Sequence, residues 1–111
     1  MSFKKDTITT TTYTINVTEL LDKEQQEELA DRYFIDEKEM QELKLTITVE
    51  PTAFSGEQVI DFWCGLQDYG NRFYLFGIPK DYFPENNLDG YIKEVVPDFI
   101  DWEELFDSMV R

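Results

Sequence analysis

An α+β fold is predicted by three observations. Residues 43–49 alternate apolar and polar side chains with period two, three capping-box spacings mark helix starts, and prolines and glycines cut the chain into short elements. The expected architecture is a single domain over 1–111. In it a small, largely antiparallel sheet of about three strands packs against helices in the order β-α-β-α-β-α-α.

The elements follow in order. Residues 6–17 are rich in Thr, Ile, Tyr and Val, which suit a pleated strand. The polar threonines place it at an edge or leave one side wet. Asp22 to Gln25 has capping-box spacing and opens a helix to about Phe34, with a thin apolar side of Leu21, Leu29, Ala30 and Tyr33. A short helical turn follows Asp36. Leu43, Leu45, Ile47 and Val49 then alternate with Lys44, Thr46 and Thr48, a strand that Pro51 is expected to end.

Ser55 to Gln58 is a second capping box. It predicts a core helix over 55–67 with Val59, Ile60, Phe62, Trp63 and Leu66 on one side, closed by a turn at 68–71 with Gly70 suited to positive φ. Residues 72–78 read as a buried strand stopped by Pro79. Leu88, Tyr91, Ile92 and Val95 have helical spacing, broken by Pro97. Asp101 to Glu104 is the third capping box, opening a short final helix with Trp102, Leu105, Phe106 and Met109.

Composition bounds the function. The chain has 24 acids against 10 cations, a net charge of −14, and 41% apolar and 15% aromatic residues. Acidic chains that stay unfolded are poor in aromatics, so a folded domain is expected. A protein this acidic is repelled by nucleic acid and anionic lipid, which argues against direct binding to either. No apolar run reaches the roughly 20 residues that cross a bilayer, and the N-terminal MSFKKDTITTTT lacks the apolar core of a secretory signal. The sole cysteine, Cys64, excludes an internal disulfide and any multi-cysteine zinc site, which fits a reducing cytoplasm.

Catalytic and cofactor chemistry finds little support. Histidine is absent, which removes the commonest general base and most transition-metal sites. No phosphate-binding glycine motif occurs. Cys64 has no basic neighbour to make a thiolate and reads as a structural residue. Glu85 to Gly90 carries ligand-type residues at alternate positions of a calcium loop. The twelfth position is Val96, however, where a bidentate Glu is needed, so the segment reads as a polar turn before a helix. No catalytic residue, metal or cofactor is expected.

The charge itself is segregated. Residues 19–42 hold ten carboxylates against three cations, and residues 81–107 hold nine against Lys93 alone, for nets of −7 and −8. The rest of the chain nets +1. A segregated charge makes a field, and a field selects a partner of opposite sign. Glu24, Glu27, Glu28 and Asp31 recur at helical spacing and form a stripe of four carboxylates. Duplex DNA carries about one charge per 110 Å² of lateral surface. Spread evenly over a domain of this mass, −14 gives one per ~460 Å²; gathered on a third of the surface, the two segments reach one per ~140 Å². Imitation of nucleic acid therefore requires both segments to share one face.

Val96-Pro97-Asp98-Phe99-Ile100-Asp101-Trp102-Glu103 resembles a segment near the end of ArdA-type antirestriction proteins, where a proline and a Tyr-Ile/Phe-Asp-Tyr/Trp-Glu string precede a final acidic stretch. It spans eight of 111 residues, and the family's opening segment has no counterpart here. Members of that family are elongated acidic proteins that imitate bent DNA and occupy restriction enzymes. Others in the wider class inhibit CRISPR nucleases or glycosylases by the same electrostatic device. The resemblance implies a small phage or mobile-element anti-defence protein acting in the cytoplasm of a bacterial host, with Asp98, Asp101, Trp102 and Glu103 as the matching positions.

The expected function is a non-enzymatic inhibitor that blocks the basic nucleic-acid-binding cleft of a host nuclease. Its partner-binding residues would be Glu24, Glu27, Glu28, Asp31, Glu37, Asp98, Asp101, Glu103, Glu104 and Asp107, each meeting a Lys or Arg that otherwise holds phosphate. Two alternatives stand beside it. One is an immunity protein or antitoxin for a basic nuclease toxin. The other is a phage adaptor that binds polymerase or a host factor through Tyr82, Phe83, Trp102 and Phe106. A homodimer formed through the Thr-rich edge strand would lengthen the acidic surface.

Overall fold

In a computed structural model that describes residues 10–52, 59–69 and 71–109, four antiparallel strands form one sheet in sequence order. Strand β1 is Thr11–Asn16, β2 is Lys44–Thr52, β3 is Val59–Leu66 and β4 is Phe73–Pro79. Between β1 and β2 the chain makes helices α1 (Val17–Leu20), α2 (Lys23–Tyr33) and α3 (Glu37–Glu42). After β4 come 3₁₀ turns at Lys80–Tyr82 and Glu85–Asn87, α4 (Leu88–Glu94), a third 3₁₀ turn at Val96–Phe99 and α5 (Trp102–Asp107).

The fold class is therefore α+β as expected, with four strands where about three were predicted and a different order of elements. The difference lies in one segment: the predicted core helix over 55–67 is strand β3 where it is described. Its side chains satisfy both periods. Val59, Ile60, Trp63 and Leu66 suit a helix, but Ile60, Phe62, Cys64 and Leu66 alternate strictly, and all four are buried. Pairing decides between the two readings. Phe62 sits opposite Val49 on β2 and Phe76 on β4, so a strand here completes the ladders of two neighbours. The Ser55–Gln58 spacing, Gly70 and residues 6–9 of the first predicted strand lie outside the described residues.

Pro51 does not end β2, which runs to Thr52 with Pro51 opposite Ile60. The described pairing of β1 stops at Val49, so among the described residues β2 is paired over 50–52 with β3 alone, where proline is tolerated. Residues 67–69 turn the β3–β4 hairpin instead of closing a helix.

The sheet has a dry face and a wet face. Ile15, Leu45, Ile47, Val49, Ile60, Phe62, Cys64 and Leu66 point to the dry side and join Val17, Leu21, Leu29, Met40, Ile92, Val96, Ile100, Leu105 and Phe106 in one buried cluster. All the described helices thus lie on one side of the sheet, a two-layer arrangement. Phe62 is the hub: its ring meets Phe76 at 4.8 Å, Tyr91 at 5.6 Å and Phe83 at 6.3 Å. The wet side presents Thr12, Thr14, Thr46 and Thr48, with Trp63 lying between Tyr74 and the Arg72 guanidinium. One wet face is ordinary for an antiparallel sheet.

Local chemistry sets the helix ends. Asp22 accepts from the Gln25 N–H at 2.8 Å and Gln25 returns the bond to the Asp22 N–H at 3.0 Å. Asp36 and Glu39 repeat that reciprocal pair at the start of α3. Asp101 accepts from the Glu104 N–H at 3.1 Å to open α5. Each such cap stabilises by about 1 kcal/mol.

Candidate partner-binding surface

The two acidic segments coincide with the helical layer. Residues 19–42 contain α2, α3 and the second half of α1; residues 81–107 contain α4, α5 and two 3₁₀ turns. The described strands and their connections carry Lys44, Arg72 and Lys80 against Glu50, Asp61 and Asp68, and are neutral. One layer of the molecule is therefore strongly electronegative and the other is not.

Helix α2 turns the predicted stripe outward. Glu24, Glu27, Glu28 and Asp31 are all exposed, while Leu29 is buried and Tyr33 half-buried on the opposite side. Glu27 also lines a groove between α2 and α3 that Glu37 borders from the first turn of α3. The two segments meet where α2 lies beside α5. The Tyr33 hydroxyl donates to Asp107 Oδ1 at 2.7 Å and to the Glu103 carbonyl at 3.2 Å, and the Tyr33 ring packs 5.7 Å from Phe106. Arg32 pairs with Glu103 across this seam and with Glu28 at 3.7 Å along its own helix. The bond to Asp107, with partial desolvation, raises the Tyr33 phenol above its ordinary value; the bond to Glu103 does the same for the Arg32 guanidinium. A second junction lies at β1, where Glu19 of α1 and Asp89 and Lys93 of α4 line one depression beside Tyr13. Burial, then the bond to Asp89, raises the Tyr13 phenol.

Not every predicted residue joins the seam. Asp98 sits exposed on the 3₁₀ turn whose Phe99 ring lies 4.7 Å from Phe76, over the β4 side of the sheet. Asp101 has one oxygen committed to capping α5. Glu104 is exposed and close enough to Cys64 to oppose its ionisation; burial first, and this repulsion second, push the thiol up to about 12. Cys64 is thus an inert strand residue.

Three features were not anticipated. Arg32 and Tyr33 were not singled out as the fasteners of α2 to α5; nothing local marks them, because their partners lie about 70 positions away. Phe34 is 92% exposed at the helix end. Among the adaptor residues, Phe106 is fully buried and Phe83 packs on Phe62, so a partner reaches neither freely.

The field is strong but more dilute than that of a nucleic acid. If the helical layer takes half of the 7532 Å² surface, the −15 of the two segments is one charge per ~250 Å², against about 110 Å² for duplex DNA. Among the described residues no three potential metal ligands cluster. Among the described residues no helix is long and apolar enough to cross a membrane.

No family model matches the chain. Neither a curated protein nor a solved structure matches it.

Proposed function

We propose that this chain is a non-enzymatic inhibitor. It docks its helical layer on the basic surface that a nuclease or other nucleic-acid-binding protein uses to hold phosphate. The observation that carries this reading is the confinement of charge to one layer, with α2 and α5 side by side so that Glu24, Glu28, Asp31, Glu103 and Asp107 project from adjoining helices. Carboxylates fixed on capped helices lose less freedom on binding than a flexible acidic tail would. The resemblance of 96–103 to ArdA-type proteins points to an anti-defence role in a phage or mobile element, acting in the host cytoplasm. Because the average charge spacing is wider than that of DNA, discrimination comes from matching a particular basic cleft rather than from reproducing a phosphate ladder.

The test is charge reversal of Glu24, Glu27, Glu28 and Asp31 to lysine. The variant should lose competition with DNA or RNA for a basic nuclease, and wild-type binding should weaken steeply between 50 and 500 mM salt. Salt-independent binding would overturn the reading. An immunity protein for a basic toxin would use the same surface, and protection of cells from a co-encoded toxin separates the two. A dimer through the exposed edge strand β1, with Thr12 and Thr14 on its wet side, would extend the acidic layer.

A further inference from the structure

Helix α2 ends in an unusual way. Phe34 takes the left-handed conformation, with φ 57° and ψ 45°, and its N–H bonds to the Ala30 carbonyl while the Ile35 N–H bonds to the same oxygen at 2.9 Å. Helix ends of this shape favour glycine, because a Cβ is strained there. It is the only described non-glycine residue with positive φ. The side chain recovers nothing from packing, since it is almost wholly in water. A large aromatic ring is thus kept where both backbone and solvent disfavour it.

Beside it lies a cleft of about 400 Å³. Phe34 and the exposed Tyr69 form its walls; Ile35, Leu43 and Met109 supply apolar lining. Its rim carries Glu39, Glu42 and Asp68, and no cation lines it among the described residues. The Glu39 carboxylate also caps α3, whereas neither Glu42 nor Asp68 has a side-chain partner among the described residues. Two aromatic rings and carboxylates lining one cleft form the complement of a guanidinium, which stacks on rings with its plane and donates to carboxylates with its edge. A lysine ammonium uses such rings less well.

We infer that this cleft takes an arginine side chain from a basic segment of the partner protein, with Phe34 as the aromatic anchor. This rests on the reading of the partner as cationic and adds a specificity device to it. The acidic stripe of α2 attracts any positive surface, whereas the cleft selects arginine.

Two capped peptides, hexa-arginine and hexalysine, are titrated into ¹⁵N-labelled full-length protein, with amide shifts followed by NMR. Phe34→Gly is the informative variant. Glycine suits the left-handed site, so it should fold with an equal or higher Tm while losing the anchor. In the wild type, hexa-arginine should shift Phe34, Ile35, Glu42 and Tyr69 saturably and bind at least five-fold tighter than hexalysine. In Phe34→Gly that preference should vanish while shifts along Glu24–Asp31 persist. Equal affinity for both peptides, or a preference that survives Phe34→Gly, overturns the proposal. So does concentration-dependent dimerisation that Phe34→Gly abolishes, which would assign the cleft to a second copy. Shifts at the stripe without shifts at the cleft reject the cleft alone; cleft shifts that survive reversal of a silent stripe reject the stripe alone.

Discussion

Tyr33 and Asp107 are 74 positions apart in sequence, yet the phenol donates to the carboxylate at 2.7 Å and ties the C-terminal end of α2 to α5. This contact joins the two acidic segments. It also brings Asp107 and Glu103 toward carboxylates that repel them, so the hydroxyl and Arg32 must offset like-charge repulsion at the seam. Tyr33→Phe keeps the ring contact with Phe106 and removes only the donor. The variant should retain its far-UV circular dichroism and show a lower Tm, with the loss smaller in high salt, where the freed carboxylates are screened. An unchanged Tm at low salt would mean that the hydroxyl adds nothing to the apolar packing and the Arg32–Glu103 pair that also join the helices.

Arg32 is the cation at that seam, paired with both Glu28 and Glu103. Its removal deepens the negative field where the two segments adjoin. Arg32→Gln should therefore bind a cationic peptide such as hexalysine roughly two- to five-fold tighter at 50 mM salt, the scale of one exposed charge, with the advantage gone at 500 mM. Weaker binding would show that Arg32 holds the surface in shape rather than diluting it.

The outlines of this fold were legible where one physical signal dominated. Strand β2 was visible because Leu45, Ile47 and Val49 alternate with threonines, and α2 because Asp22 and Gln25 have the spacing of a reciprocal cap. The segregation of charge into two segments was also plain, and those segments became one layer. Strand β3 was misread because residues 59–66 satisfy both periods. Val59, Ile60, Phe62 and Trp63 are β-branched or aromatic and so favour a strand, and the capping-box spacing upstream outweighed them. The seam could not be read, since Arg32 and Tyr33 find partners only after the sheet has brought α5 beside α2. Helix α2 ends at about Phe34 as its sequence predicts, but nothing in the sequence marks the left-handed backbone there or the exposure of its ring.

Phe62 is the residue on which the strand assignment bears most heavily. It is fully buried on β3 and in ring contact with Phe76, Phe83 and Tyr91, so it connects two strands to α4 and the 80–87 connection. Phe62→Ala should cost about 3–5 kcal/mol, the usual range for a buried phenylalanine. Against a total of roughly 5–15 kcal/mol for a domain, that leaves a marginal fold. Trp63→Phe on the same strand should cost far less, since Trp63 is only half-buried on the wet side and its indole N–H has no partner to lose among the described residues. Urea denaturation of the two variants gives a direct check of the alternation: on a helix, neighbouring positions 62 and 63 would both face the core and respond alike.

Cys64 provides the pH test. Its thiol, buried on the dry face and opposed by Glu104, is pushed from the ordinary 9.0 up to about 12. The folded state therefore holds the proton more tightly than the unfolded chain does. This contribution is complete below about pH 9 and is lost as pH rises from there toward 12. Cys64→Ala removes it and leaves the raised tyrosines Tyr13, Tyr33, Tyr74 and Tyr91 in place, so their alkaline effect is common to both proteins. The stability difference between wild type and Cys64→Ala should be constant from pH 6 to 8.5 and then move in favour of the alanine variant above pH 9. In the native protein at pH 8 a disulfide reagent should leave the thiol unmodified until denaturant opens the sheet. Rapid labelling under native conditions would place the side chain on the wet face and invert the register assigned to β3.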